Sequence, residues 1–120
     1  MHFNTRLYFY QGLWIGRPGC LENFDKLVQE FYEDKDKREA VLKKAEVESE
    51  NLTSEETKAS ASMYVKTMRK IIEKGNDFIS SEVKRVEKLR SGKVSDKKKE
   101  QLSDRLNVLS TFKMRSKDEL

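Results

Sequence analysis

The chain has 120 residues, 38% charged and 36% hydrophobic, so it is one domain at most, with a modest core burying roughly two-thirds of the unfolded surface. Its net charge of +4 is the small difference between 25 cations and 21 anions, interleaved as on a solvated surface and too small an excess to argue for nucleic acid. A single cysteine, Cys20, excludes an internal disulfide and a Cys-x-x-Cys redox pair, and no apolar stretch is long enough to span a bilayer.

Residues 1–19 show no helical period. Phe3, Tyr8, Phe9, Tyr10 and Trp14 cluster there, and Gly12, Gly16, Pro18 and Gly19 break the backbone. We read them as an irregular, aromatic-rich linker that packs on the bundle or on an upstream domain; the alternative is an aromatic surface for client peptides. Leu7 to Ile15 is apolar but interrupted by Gln11 and Gly12, and no small-x-small cleavage site follows. The expectation is therefore the C-terminal part of a longer protein, or a truncated product.

From Cys20 onward the pattern is helical, as one proline and five glycines allow. Leu21, Phe24, Leu27, Val28 and Phe31 recur at three- and four-residue steps, the stripe of a first amphipathic helix closed by Glu33-Asp34-Lys35-Asp36. Ala40, Val41, Leu42, Ala45 and Leu52 mark the inward face of a second. Thr53-Ser54-Glu55-Glu56 has the form of a capping box, with Thr53 as the cap. A third helix then runs to about Lys74, with Ala61, Tyr64, Val65, Met68, Ile71 and Ile72 inward and Gly75 suited to a left-handed end. Asn76 and Asp77 form a turn. Ser80 or Ser81 caps a fourth helix carrying Val83, Val86 and Leu89, stapled by Phe78 and Ile79. Ser95-Asp96 opens a fifth, marked by Leu102, Leu106, Val108, Leu109 and Phe112, and a polar, mobile tail begins at Lys113. Connections of two to six residues make this an all-α compact bundle of five short helices. Residues 1–19 are the linker or remnant of an upstream domain, 20–114 the bundle and 115–120 the tail.

Little here supports catalysis. His2 has no visible partner, no His/Cys/Asp cluster has metal spacing, and no phosphate loop or nucleophile elbow is present. Glu55-Glu56 is accounted for by the helix dipole. Cys20 is the one nucleophile of note: in a first helical turn its pKa would fall, whereas packed under the linker it is a small hydrophobe. Asn51-Leu52-Thr53 is an N-glycosylation sequon. Lys93 and Lys97-Lys98-Lys99 form a small basic cluster, read as a solvated face. The sequence ends in Lys117-Asp118-Glu119-Leu120, which at a C-terminus is an address read by the retrieval receptor of the endoplasmic reticulum.

Several of these pieces occur together in one family. Leu13-Trp14-Ile15-Gly16-Arg17-Pro18-Gly19-Cys20-Leu21, then Phe24-Asp25 and Glu30-Phe31, open the likeness. Lys74-Gly75-Asn76-Asp77-Phe78, Ser81-Glu82, Val94-Ser95-Asp96-Lys97-Lys98-Lys99-Glu100 and Leu106-Asn107-Val108-Leu109-Ser110-Thr111-Phe112 continue it. Over residues 13–120 the chain resembles the C-terminal D domain of the endoplasmic-reticulum protein twenty-nine/Windbeutel family, redox-inactive relatives of protein disulfide isomerase. The resemblance implies a five-helix domain following a thioredoxin-like domain that mediates dimerisation, and Cys20 as the family's single cysteine. Two departures stand out: Ile79 replaces an expected proline, and the ending is Lys-Asp-Glu-Leu where the family often has Lys-Glu-Glu-Leu.

The expected function is a non-catalytic chaperone or escort domain in the endoplasmic reticulum lumen, without cofactor or metal. Its expected partners are unfolded or maturing secretory proteins, met through surface between helices, Tyr64 or the N-terminal aromatics, and the KDEL-type retrieval receptor. Nucleic acid and membrane insertion are not expected, and dimerisation is expected only through the missing thioredoxin-like domain. The alternative is the D domain of a thiol-disulfide isomerase, with Cys20 as a redox accessory.

Overall fold

The computed structural model describes residues 17–117. The order is α1 (Glu22–Glu33), a 3-10 turn (Lys35–Lys37), α2 (Arg38–Glu50), α3 (Glu55–Lys74), α4 (Asp77–Arg90) and α5 (Asp96–Lys117). All five predicted helices are present. α3 and α5, at 20 and 22 residues, are long and form the frame; α4 lies along α5, α2 packs on both α1 and α3, and α5 also meets α1 and α3.

One main core joins all five. Phe24, Leu27, Val28, Phe31 and Tyr32 of α1 meet Val41 and Ala45 of α2, Tyr64, Met68 and Ile71 of α3, Ile79 of α4, and Val108 and Phe112 of α5. Phe112 lies at the aromatic centre, with ring centroids 6.4 Å from Phe31, 6.5 Å from Tyr32 and 6.1 Å from Tyr64, within the range where tilted and edge-on rings attract. The Arg38 guanidinium covers the outer side of this cluster, 4.8 Å from the Phe31 ring centre and 4.9 Å from that of Tyr32. A smaller cluster of Val86, Leu102 and Leu109 closes the α4–α5 end.

Several local expectations are corrected. Ser54, not Thr53, caps α3: its hydroxyl accepts from the Thr57 N–H, and the Thr57 hydroxyl donates back to the Ser54 carbonyl. Glu55 and Glu56 remain in the first turn, where the dipole favours them. Gly75 has a positive φ of 89°, but its ψ of 177° is the extended mirror region rather than the left-handed helix. α4 begins at Asp77, before Ser80 and Ser81, which are exposed on its outer face. Starting there lets Ile79 enter the core at 2% exposure while its N–H donates to the Asn76 carbonyl, a bond proline could not make.

Ala40 is exposed because the buried edge of α2 is a narrow line through Val41 and Ala45. Leu89 is exposed because the second cluster stops at Val86 and does not reach the last turn of α4. α5 runs through Lys117, so residues 113–117 belong to a helix that the sequence pattern ends before Lys113.

One buried charge is absent from the sequence reading. Glu82 of α4 is 7% exposed. It accepts from Arg85 on its own helix at 2.9 and 2.7 Å and from Arg105 of α5 at 2.6 Å. The Arg85 hydrogen bonds lead those of Arg105 in holding its pKa down, from 4.5 to about 2, against the opposing cost of burial. Because the folded pKa lies below the unfolded one, this stabilisation is fully present above about pH 4.5 and is lost as the pH falls through about 2. Glu82→Gln is therefore expected to cost about 2 kcal/mol near neutrality, where it leaves half-buried Arg105 without its counter-charge. Urea melts of both proteins between pH 7 and pH 2 check this: the gap narrows as Glu82 takes up its proton.

Candidate functional site

The residues that carry the site lie where the linker enters the bundle. Arg17-Pro18-Gly19-Cys20 is a β-turn closed by the Cys20 N–H donating to the Arg17 carbonyl at 3.0 Å. Proline at its second position and a glycine at φ 85° at its third are the requirements of a type II turn. A second constraint also acts on Gly19: a side-chain carbon there would sit 2.6 Å from Cβ of Asp104. The turn is thus pressed against α5, and α5 binds it. Asn107 donates to the Pro18 carbonyl at 3.0 Å, and the Arg17 guanidinium reaches the Ser110 hydroxyl at 2.8 Å and the Met114 sulfur at 3.3 Å.

Beneath the turn is a buried polar group. The Tyr64 hydroxyl donates to the Asp25 carboxylate in a short hydrogen bond and accepts from the Leu21 N–H at 3.1 Å. Leu21 is the N-cap of α1 and offers no side-chain cap of its own. Tyr64 from α3 therefore does for its N–H what the third-residue carboxylate of a capping box does. Burial pushes the Asp25 carboxyl up, opposed by the Tyr64 hydrogen bond and by the charges of Arg17 and Arg115. Burial first, and then the neighbouring Cys20 and Asp25, push the Tyr64 phenol far up, so it stays a donor at every physiological pH.

Cys20 lies just before α1, half-buried, with its sulfur 3.8 Å from the Thr111 hydroxyl. It is outside the first helical turn, so the free amides that would favour a thiolate do not act on it. Burial raises its pKa and the Asp25 charge raises it further. The arrangement stores a protonated thiol between linker and bundle.

Between the turn, α3 and α5 runs an open groove of about 1050 Å³, walled by Arg17, Pro18, Ala59, Met63, Lys97 and Asn107 among others. It mixes apolar and charged groups. Tyr64 is fully buried and so is not part of any client-facing surface, contrary to the sequence expectation. Of the basic cluster, Lys97 borders the groove while Lys93, Lys98 and Lys99 are exposed about the start of α5, which the Ser95 hydroxyl caps at the Lys98 N–H. Asn51 is exposed at the end of α2. Lys117 ends α5, whereas Asp118, Glu119 and Leu120 lie outside the described residues, as do Phe3, Tyr8, Phe9, Tyr10, Trp14 and His2. Among the described residues no group of three His, Cys, Asp or Glu side chains is placed to hold a metal, and no helix is long and apolar enough to cross a membrane.

The sequence reading singled out Cys20 but missed Asp25 as its neighbour. Asp25 follows Leu21 by four residues and precedes Val28 by three, which puts it on the edge of the apolar stripe, but its partner Tyr64 is 39 residues away.

Residues 19–112 match the family described as Endoplasmic reticulum protein ERp29, C-terminal domain. The chain is 37% identical over 103 residues to Protein windbeutel of Drosophila melanogaster, covering 85% of this chain and 40% of that protein. It is 38% identical over 96 residues to Protein disulfide-isomerase 1 of Dictyostelium discoideum, covering 79% and 26%. A probable protein disulfide-isomerase A6 of Medicago sativa is 31% identical over 103 residues, covering 85% and 28%. The chain thus spans well under half the length of these relatives.

Two outcomes follow from the geometry. Gly19→Ala is expected to cost at least ~1 kcal/mol, from positive φ and the Asp104 contact together. A lowered urea midpoint, with faster proteolysis near Arg17, would register it. Titrating Cys20 with a thiol reagent is expected to give a pKa above that of an ordinary cysteine, and Asp25→Asn to bring it down by removing the second of its causes. A thiol that titrates below the ordinary value would restore a redox role.

Proposed function

Because the chain belongs to the ERp29 C-terminal domain family, an endoplasmic reticulum family related to the protein disulfide isomerases, we propose that it is a non-catalytic lumenal domain that binds or escorts maturing secretory proteins. The family match carries this reading, since residues 19–112 reach all five helices and include the Gly19-Cys20 entry. Lys117-Asp118-Glu119-Leu120, which at a C-terminus is an address for a KDEL-type retrieval receptor, supports residence in the lumen. Dimerisation, in this reading, belongs to an upstream thioredoxin-like domain of the parent protein.

The groove between the linker turn, α3 and α5 is the surface we assign to clients. It is broad enough for an extended segment, and Ala59 and Met63 give it apolar footing beside Arg17 and Lys97. Val47, Leu89 and Met114 are exposed singly and need no partner. A thiol-accessory role draws some support from the isomerase relatives, but a thiol raised by burial and by Asp25 is a poor nucleophile near neutrality.

The chain at several-fold excess is expected to delay light scattering by a reduced secretory client. Ala59→Trp, which fills the groove from an exposed position on α3, is expected to weaken that effect several-fold without lowering the melting temperature. Complete lack of suppression by the unaltered chain would reject autonomous chaperoning. Equal suppression by Ala59→Trp would place the client surface elsewhere.

A further inference from the structure

We propose that Asn51 carries an N-linked glycan, an inference that rests on the lumenal reading above. The chain contains Asn4, Asn23, Asn51, Asn76 and Asn107, and of these only Asn51 has a hydroxyl residue two positions on, in Asn51-Leu52-Thr53. A sequon alone is a weak motif. The fold adds three independent features to it.

First, the acceptor is presented. Asn51 is exposed, and its backbone N–H closes α2 by donating to the Val47 and Glu48 carbonyls at 3.3 and 3.2 Å. Its side-chain amide makes no hydrogen bond among the described residues. Second, the hydroxyl is uncommitted. A sequon threonine is read through its hydroxyl, and here Ser54 has taken over the capping of α3, which leaves Thr53 exposed. Third, there is room. Asn51 borders an open groove of about 410 Å³ between the start of α1 and the end of α2, beside Leu21, Asn23 and Leu52. Leu52 packs against the core and anchors the sequon between its two exposed ends. The native fold thus accommodates a first sugar ring without moving a helix.

The reaction is group transfer from a lipid-linked oligosaccharide pyrophosphate, supplied with its transferase by the membrane of the compartment. The Asn51 Nδ2 forms a bond to C1 of the first N-acetylglucosamine, and the bond from C1 to the pyrophosphate oxygen breaks. The lipid pyrophosphate leaves with that electron pair, and the proton lost from the amide passes to a base of the transferase. No oxidant or reductant is needed. The groove at Asn51 shares no lining residue with the one assigned to clients, so the modification leaves client contact open.

The test translates the full chain behind a cleavable secretory signal in the presence of microsomes and follows the protease-protected fraction. The expected result is one step up in apparent mass that peptide N-glycosidase removes, converting the site by Asn51→Asp in the mass spectrum. Asn51→Gln and Thr53→Ala are expected to abolish the step, and Thr53→Ser to keep it. A protected chain that shows no step overturns the glycan and leaves lumenal residence standing. A step that survives Asn51→Gln overturns the assignment to this residue. Failure of the chain to gain protection counts against lumenal residence, and against the glycan with it.

Discussion

The Tyr64 side chain is the interaction on which both the core and the linker junction depend. Its ring stands between Phe24, 5.4 Å away, and Phe112, 6.1 Å away. Its hydroxyl emerges from that apolar cluster to meet Asp25 and the Leu21 amide. A phenylalanine would keep the packing and leave two part-buried polar partners without their hydroxyl; a leucine would lose both. Tyrosine is the residue type that supplies an apolar body and a donor tip together. Through it α3 fixes where α1 begins, and the start of α1 fixes the turn that carries Cys20.

That placement explains the character of the junction. Asp25 and Cys20 are both raised in pKa by burial, and the Asp25 charge makes ionisation of Cys20 harder still. Glu82 is the contrasting case. It is buried, at 7% exposure, yet two guanidinium groups keep it charged. The difference is the supply of cations: α4 and α5 bring Arg85 and Arg105 directly to Glu82, whereas Arg17 at the junction spends its hydrogen bonds on Ser110 and Met114. One acid therefore clamps two helices, and the other is held as an acceptor for tyrosine.

Much of the bundle was legible because its stripes are dense and regular. Leu21 through Phe31, and Leu102 through Phe112, repeat at helical spacing with large side chains, and burial follows. Legibility failed where a stripe is thin or a polar residue interrupts it. In α2 the buried line is Val41 and Ala45, with Leu42 packed beside it, too sparse to exclude Ala40. In α4 the sequence Ile79, Glu82, Val86 is a continuous stripe, but the glutamate at its middle conceals it and moves the apparent helix start to the serines. The cap at Ser54 was hidden by the neighbouring Thr53, since both have a hydroxyl at a suitable distance from a first turn. Asp25 and Glu82 gain their meaning from Tyr64 and Arg105, 39 and 23 residues away, and no local pattern contains such pairs.

The family relation and the geometry meet at the linker. In the relatives the matched region is a minority of the chain, 40% or less, and in this chain the segment that enters it is the Arg17–Cys20 turn. Here that segment is pinned by a proline, a glycine that tolerates no side chain, and hydrogen bonds from Asn107 and Arg17. A loose tether would not need a turn packed so closely on a helix that a side-chain carbon at Gly19 would collide with Asp104. Arg17, Pro18 and Gly19 of this turn form one wall of the groove beside α3 and α5. Cys20, at the end of the turn, lies against Thr111 and is raised in pKa by burial and by Asp25, which suits a packing element better than a reagent.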